Sequence, residues 1–127
     1  MSLKIKLKQL EGIYAIAQLS QMDTIPDWVD GEGFVNITRT DDELSLVCLE
    51  NRIPAHVKVD SGWKCFKFLG PFPFDAAGVI LTVIRPLSEN GIGIFVVATF
   101  NGDVLLLKSE DVEIAKTLLL AAGHTLE

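Results

Sequence analysis

At 127 residues the chain falls in the size range of one domain, or of two very small units sharing a core. Its apolar fraction of 49% and mean hydropathy of +0.35 supply enough apolar surface for a core and exclude disorder, yet no stretch approaches the roughly 20 apolar residues of a membrane span. A formal charge of −6 argues against nucleic-acid binding, which calls for clustered Lys and Arg.

Residues 3–9 alternate between Lys and apolar side chains and read as a strand whose Lys4, Lys6 and Lys8 form a solvated face, an edge guard rather than a binding patch. Residues 12–19 read as a second strand. Between 20 and 33 the chain is punctuated by Pro26, Asp27, Asp30, Gly31 and Gly33 and reads as a loop with one helical turn at 25–29. Residues 34–40 and 43–49 form a hairpin about Asp41-Asp42, and a short strand at 56–59 follows the turn 51–54. A new strand is expected at 64–69.

Gly70-Pro71-Phe72-Pro73-Phe74 forces an irregular connection. Asp75 is placed to cap a helix carrying Val79, Ile80, Val83, Ile84 and Leu87 at helical spacing, kinked or ended at Pro86 and closed by Gly91. Residues 92–100 read as a central, doubly covered strand. Asn101-Gly102 fits a two-residue type I′ turn, and 103–108 returns as its partner. Ser109 caps a last helix with Glu110, Asp111 and Glu113 in its first turn and a buried stripe of Val112, Ala115, Leu118, Leu119 and Ala122, ended by Gly123. The terminal Leu126-Glu127 resembles the remnant of a tagged expression product and is left out of this reading.

Two segments repeat one pattern: FVNITRTDDELSLV from Phe34 laid over FVVATFNGDVLLLK from Phe95 shares Phe, Val, Thr, Asp, Leu and Leu. The second half has the order of a ferredoxin-like unit but leaves only His124-Thr125-Leu126 for its last strand, too short to serve. Strand 3–9 fills that place. The expected fold is therefore α+β, with two interlocked ferredoxin-like units, 11–60 (poor in helix) and 61–125 plus strand 3–9, built of antiparallel sheets with helices on one face.

Chemistry-bearing residues are sparse. Cys48 and Cys65 lie in apolar runs and read as buried core residues rather than metal or redox groups. His56 and His124 have no evident partner and read as surface residues, and the acidic pairs read as turn and helix-dipole residues, so no catalysis, metal or cofactor is expected. Trp28 and Trp63 read as packing residues. No secretion signal is evident, which points to the cytoplasm.

IPDW, FVNITRTDDELSLV, WKCFKFLGPFPFD and GIGIFVVATFNGDVLLLK together resemble the small bacterial tandem ACT-domain proteins, related to the regulatory ACT pairs of aspartokinases and to CASTOR-type amino-acid sensors. The resemblance covers about residues 10–125, and GIGIF-x₃-TFN-x-D is its most specific part. It implies a non-catalytic regulatory module that binds an amino acid at the second unit or the interface between the units, paired as a homodimer through its sheets or helices. An interaction subunit that keeps the fold without a ligand is the alternative.

An amino acid needs N–H donors for its carboxylate and an acceptor for its ammonium. Donors are expected at the start of the helix after Phe74, around Ala76, Ala77 and Gly78. The resemblance carries the site onto residues 73–79, which include Pro73, Asp75 and Val79, and onto Thr99, Phe100 and Asp103 beside Asn101. Asp103 fits two roles, hairpin flank and ligand acceptor, and Asp75 likewise fits cap and contact.

Overall fold

The computed structural model describes residues 4–70 and 77–127. In chain order the elements are β1 (Lys6–Gln9), β2 (Tyr14–Leu19), β3 (Asn36–Arg39), β4 (Leu44–Leu49), β5 (Lys58–Phe68), α1 (Val79–Ser88), β6 (Ile94–Ala98), β7 (Asp103–Lys108), α2 (Val112–Ala121) and β8 (Thr125–Leu126). The chain divides into two compact units, residues 11–63 and residues 1–10 with 64–127. The fold is ferredoxin-like α+β.

In the unit 11–63, strands run in the order β3-β4-β2-β5, each pair antiparallel. Ala17, Leu44, Leu46 and Cys48 form an apolar face, and residues 11–63 include no α-helix. Val29, on a 3₁₀ turn at Asp27–Val29, packs into that face with Trp28 beside it. The loop is tied down by Arg52, whose Nη1 and Nη2 donate to the carbonyls of Glu32 (3.0 Å) and Val29 (3.2 Å), and by Arg39, which donates to those of Gln21 and Asp23. Gly33 turns at φ +83° so closely over the Tyr14 hydroxyl that a Cβ there would collide with it, while that hydroxyl accepts the Phe34 N–H at 3.0 Å.

The two strands expected at 56–59 and 64–69 are one. β5 runs unbroken through Asp60-Ser61-Gly62, because Tyr14 pairs with Trp63 and Ile16 with Asp60, leaving Ser61 and Gly62 opposite Ala15. This is a β-bulge, and Gly62 adopts the φ of +82° it requires. The Trp63 indole spans the bulge, donating to Asp60 Oδ1 at 3.2 Å.

The other unit begins with the second half of β5 and orders its strands β6-β7-β5-β1-β8. The β1–β5 and β6–β7 pairs are antiparallel, and the short pair β1–β8 is parallel. β1 occupies the place beside β5 where a ferredoxin-like unit puts its last strand. Phe66, Phe68, Leu105, Leu107, Ile5 and Leu7 meet Val79, Val83 and Leu87 of α1 and Val112, Ala115 and Leu119 of α2 in one core. Several expectations need correction here. Apolar β6 is half-buried and among the described residues pairs only with β7, whereas β7 is the buried strand, from Val104 to Leu107. Ser109 opens a 3₁₀ turn before α2 rather than standing as its cap, and Ala122 is exposed. The terminal residues also belong to the fold. Thr125 and Leu126 pair with Lys6 and Leu7, and Glu127 exchanges backbone bonds with Leu7 and Gln9.

His124, expected on the surface, is fully buried. The cause lies in the helix ends. Both helices close with a left-handed glycine and the two backbone bonds of a Schellman motif: Gly91 N–H to Ser88 and Ile92 N–H to Leu87, then Gly123 N–H to Leu120 and His124 N–H to Leu119. The residue after the glycine turns inward, Ile92 in one case and His124 in the other. Pro86, inside α1, has no N–H for the carbonyl of Thr82 one turn earlier. His124 Nε2 lies 3.0 Å from that carbonyl oxygen, and Nδ1 accepts the Ile5 N–H at 3.0 Å. The ring therefore carries its proton on Nε2 and satisfies two backbone groups at once.

His124→Ala leaves both groups unpaired and is expected to destabilise the protein by about 2–4 kcal/mol. Pro86→Ala restores an N–H to Thr82, so in that background the loss of His124 should cost about 1 kcal/mol less in a denaturant double-mutant cycle. Equal costs in both backgrounds would uncouple the two residues.

Candidate functional site

The strand–helix–strand passage sets the geometry. β5 ends at Phe68, α1 brings the chain back, and β6 runs again in the direction of β5 before turning into the antiparallel β7. The end of β5 at Phe68 and the β6–β7 hairpin thus share one end of the sheet.

Pro73, Asp75 and Ala76 lie outside the described residues, and with them the Asp75 cap. Ala77 is exposed in the turn before α1, and Gly78 is the N-cap, left-handed at φ +84° and ψ 0°, with no side-chain cap bond. The helix ladder opens with Thr82 N–H to Gly78 C=O at 3.0 Å. The amides that precede it are those of Val79, Ile80 and Leu81, one turn later than the expected Ala76, Ala77 and Gly78. The Val79 side chain is in the core, so only its backbone can serve a ligand. Open space surrounds Gly78 where a side chain would begin.

The hairpin differs from its expected form. Thr99 N–H and Oγ1 both donate to the Gly102 carbonyl, at 2.7 and 2.6 Å, so the turn is centred on Phe100-Asn101. Neither Asn101 nor Gly102 has a positive φ, which rules out type I′. The Thr99 hydroxyl is used within the hairpin. Phe100 is 80% exposed at the tip, and Asn101 is exposed beside it.

Asp103 opens β7 opposite Ala98 and is half-buried. Burial pushes its carboxyl above the usual carboxylate range. Its carboxylate makes no hydrogen bond or ion pair to a described residue, so the cost of desolvation is not offset.

A groove of about 440 Å³ runs along α1, lined by Gly78, Leu81, Thr82, Arg85, Pro86, Glu89 and Ala122. Of the expected residues it includes Gly78 and none from the hairpin. Arg85 and Glu89 approach within 3.7 Å on its rim, both largely exposed, a weak i,i+4 pair. The expected residues thus lie in two clusters, one at the start of α1 and one at the hairpin.

Elsewhere, Cys48 and Cys65 are buried and free, and burial holds both thiols protonated, that of Cys65 pushed up to about 12. Among the described residues no group of His, Cys, Asp and Glu is arranged to hold a metal, and no helix is long and apolar enough to cross a membrane.

Residues 58–120 match the family model of the ACT domain, and residues 12–56 match that of an N-terminal domain. The chain contains an ACT domain. It is similar to a solved protein of Agrobacterium tumefaciens at 62% identity and a TM-score of 0.95, over 99% of this chain and 94% of that one. A Vibrio cholerae protein of unknown function, described as a possible transport protein, matches at 17% identity and a TM-score of 0.76, over 94% of this chain and 91% of that one. Escherichia coli aspartokinase III, solved with aspartate and ADP, matches at 13% identity and a TM-score of 0.65, over 93% of this chain and 32% of that one. At such identities the last two share the fold alone. No curated protein sequence matches the chain.

The raised carboxyl of Asp103 fixes a sign. Above its ordinary range the folded state retains the proton longer than the unfolded chain, so ionisation of Asp103 lowers stability as pH rises through its folded pKa. Asp103→Asn removes that loss. Its melting temperature at pH 7 should equal or exceed that of the wild type, and a clear fall would make Asp103 a structural hairpin residue.

Proposed function

We propose that this ACT-domain protein is a non-catalytic, cytoplasmic regulatory module that binds an amino acid at the end of the sheet shared by α1 and the β6–β7 hairpin. The half-buried Asp103 carboxylate carries the reading, since its desolvation is unmatched by any described partner and an ammonium group would match it. The amides of Val79, Ile80 and Leu81, at the positive end of α1, suit the ligand carboxylate. Thr99, Phe100 and Asn101 border the same hairpin, and Pro73, Asp75, Ala76, Ala77 and Gly78 belong to the approach to the helix.

Non-catalysis is supported by the state of the reactive groups: both thiols are protonated in the core, and both nitrogens of His124 are engaged by backbone groups. Pairing as a homodimer through sheets or helices is part of the same proposal, favoured by β6, whose pairing among described residues is with β7 alone. The exposure of Phe100 favours a second reading, in which the hairpin docks a partner protein and no amino acid binds.

A thermal-shift screen against the twenty amino acids separates the two, because a ligand that binds only the folded state raises its melting temperature. With the responding amino acid, calorimetry on Asp103→Asn is expected to show affinity reduced by about 5- to 150-fold, the equivalent of about 1–3 kcal/mol. Wild-type binding should weaken as pH falls through the raised pKa of Asp103, since a protonated carboxyl no longer pairs with an ammonium. No response to any amino acid at millimolar concentration would discard the sensing reading.

A further inference from the structure

The lysines of β1 do more than guard an edge. Lys4, Lys6 and Lys8 are exposed and alternate with Ile5 and Leu7, which point into the helix-covered core. They therefore leave the sheet on its opposite face. In register, Lys8 lies directly across from Lys67 on β5, which is exposed too. Like charges directly opposite weaken a strand pair. Lys67 is on an interior strand, and β1 is paired with β8 at residues 6 and 7, so edge protection does not account for the cluster. None of the four lysines forms an ion pair with a described residue.

Charge is distributed unevenly along the chain. Residues 11–63 hold ten acidic and three basic side chains, a net of −7, while the remainder holds seven acidic and eight basic, a net of +1. From residue 20 to 38 there are four carboxylates, Asp23, Asp27, Asp30 and Glu32, and no base. All four residues are exposed. The guanidiniums that tie this loop down, Arg39 and Arg52, donate to its backbone carbonyls and leave the carboxylates unpaired with cations.

We propose that the Lys4-Lys6-Lys8-Lys67 face binds the acidic 23–32 segment of a second copy of this chain. A net charge of −6 repels nucleic acid and anionic membranes at long range. At physiological ionic strength, screening over about 8 Å confines the repulsion between copies and lets the local match of four cations with four carboxylates decide the contact. The chain thus carries both complementary surfaces itself. Exposed ion pairs are individually weak, so the association is salt-sensitive and of modest affinity.

The test is analytical ultracentrifugation of the full chain at about 50 mM and about 500 mM salt. Two charge reversals are compared, Lys6→Glu/Lys8→Glu/Lys67→Glu and Asp27→Lys/Asp30→Lys/Glu32→Lys, with circular dichroism confirming their fold. Should the first fail to fold, the neutral Lys6→Gln/Lys8→Gln/Lys67→Gln variant replaces it. The wild type is expected to self-associate, with affinity falling at least about tenfold between the two salt concentrations. Each reversal alone should lose the salt-sensitive association and retain at most the salt-insensitive homodimer through sheets or helices, and an equimolar mixture of the two should regain the salt-sensitive association. A wild type whose state of association is the same at both salt concentrations overturns the proposal. So does salt-sensitive association that survives either reversal, or a mixture that fails to recover it, which would assign the lysine face to another acidic partner.

Discussion

A proline in the last turn of α1 leaves one carbonyl, that of Thr82, without its helical donor, and a single imidazole 42 residues later supplies the replacement. His124 could not reach it without the left-handed Gly123, which turns the chain off α2 and toward the core. Its second nitrogen then accepts the Ile5 N–H at the start of β1. One buried ring joins α1, the end of α2 and the strand that completes the sheet. Removing a donor or acceptor from such a site costs the desolvation of every group left behind, which makes these positions interdependent.

That arrangement explains how a chain with no full-length final strand finishes a ferredoxin-like unit. The missing strand comes from the amino terminus, and β8 with Glu127 adds backbone bonds along its outer side. Ile5 and Leu7 enter the core only because β1 is held there. The clasp is built from apolar packing and satisfied backbone groups, whereas Asp103, at the start of β7, has no described partner for its carboxylate.

Much of this was legible in the residues because it depends on local chemistry. Gly91 and Gly123 announced two helix ends, the spacing of Val79, Val83 and Leu87 marked a buried stripe, and the shortness of the tail after Gly123 pointed to β1 as the completing strand. Features that depend on tertiary partners were not. Pro86 signalled a broken helix bond, but only the fold shows which side chain answers it, and His124 looked like tail because its partners are 119 and 42 residues away. The Asn101-Gly102 dipeptide favours a type I′ turn, yet the Thr99 hydroxyl and amide converge on the Gly102 carbonyl and move the turn back by one residue. β6 reads as a central strand because it is apolar throughout, although an edge strand can be equally apolar when only one face is covered. For the site, the sequence named Asp103 and the start of α1, while the helix begins at Val79 and shifts the donors by a turn.

His124 carries its proton on Nε2, donating to the Thr82 carbonyl and accepting from the Ile5 amide at Nδ1. Nitrogen-15 NMR of the imidazole reads this directly in the intact protein. One protonated nitrogen, Nε2, is expected in slow exchange with solvent at neutral pH, with an unprotonated Nδ1 coupled across its hydrogen bond to the Ile5 amide. A proton on Nδ1, or the averaged signals of a ring exchanging freely with water, would contradict it.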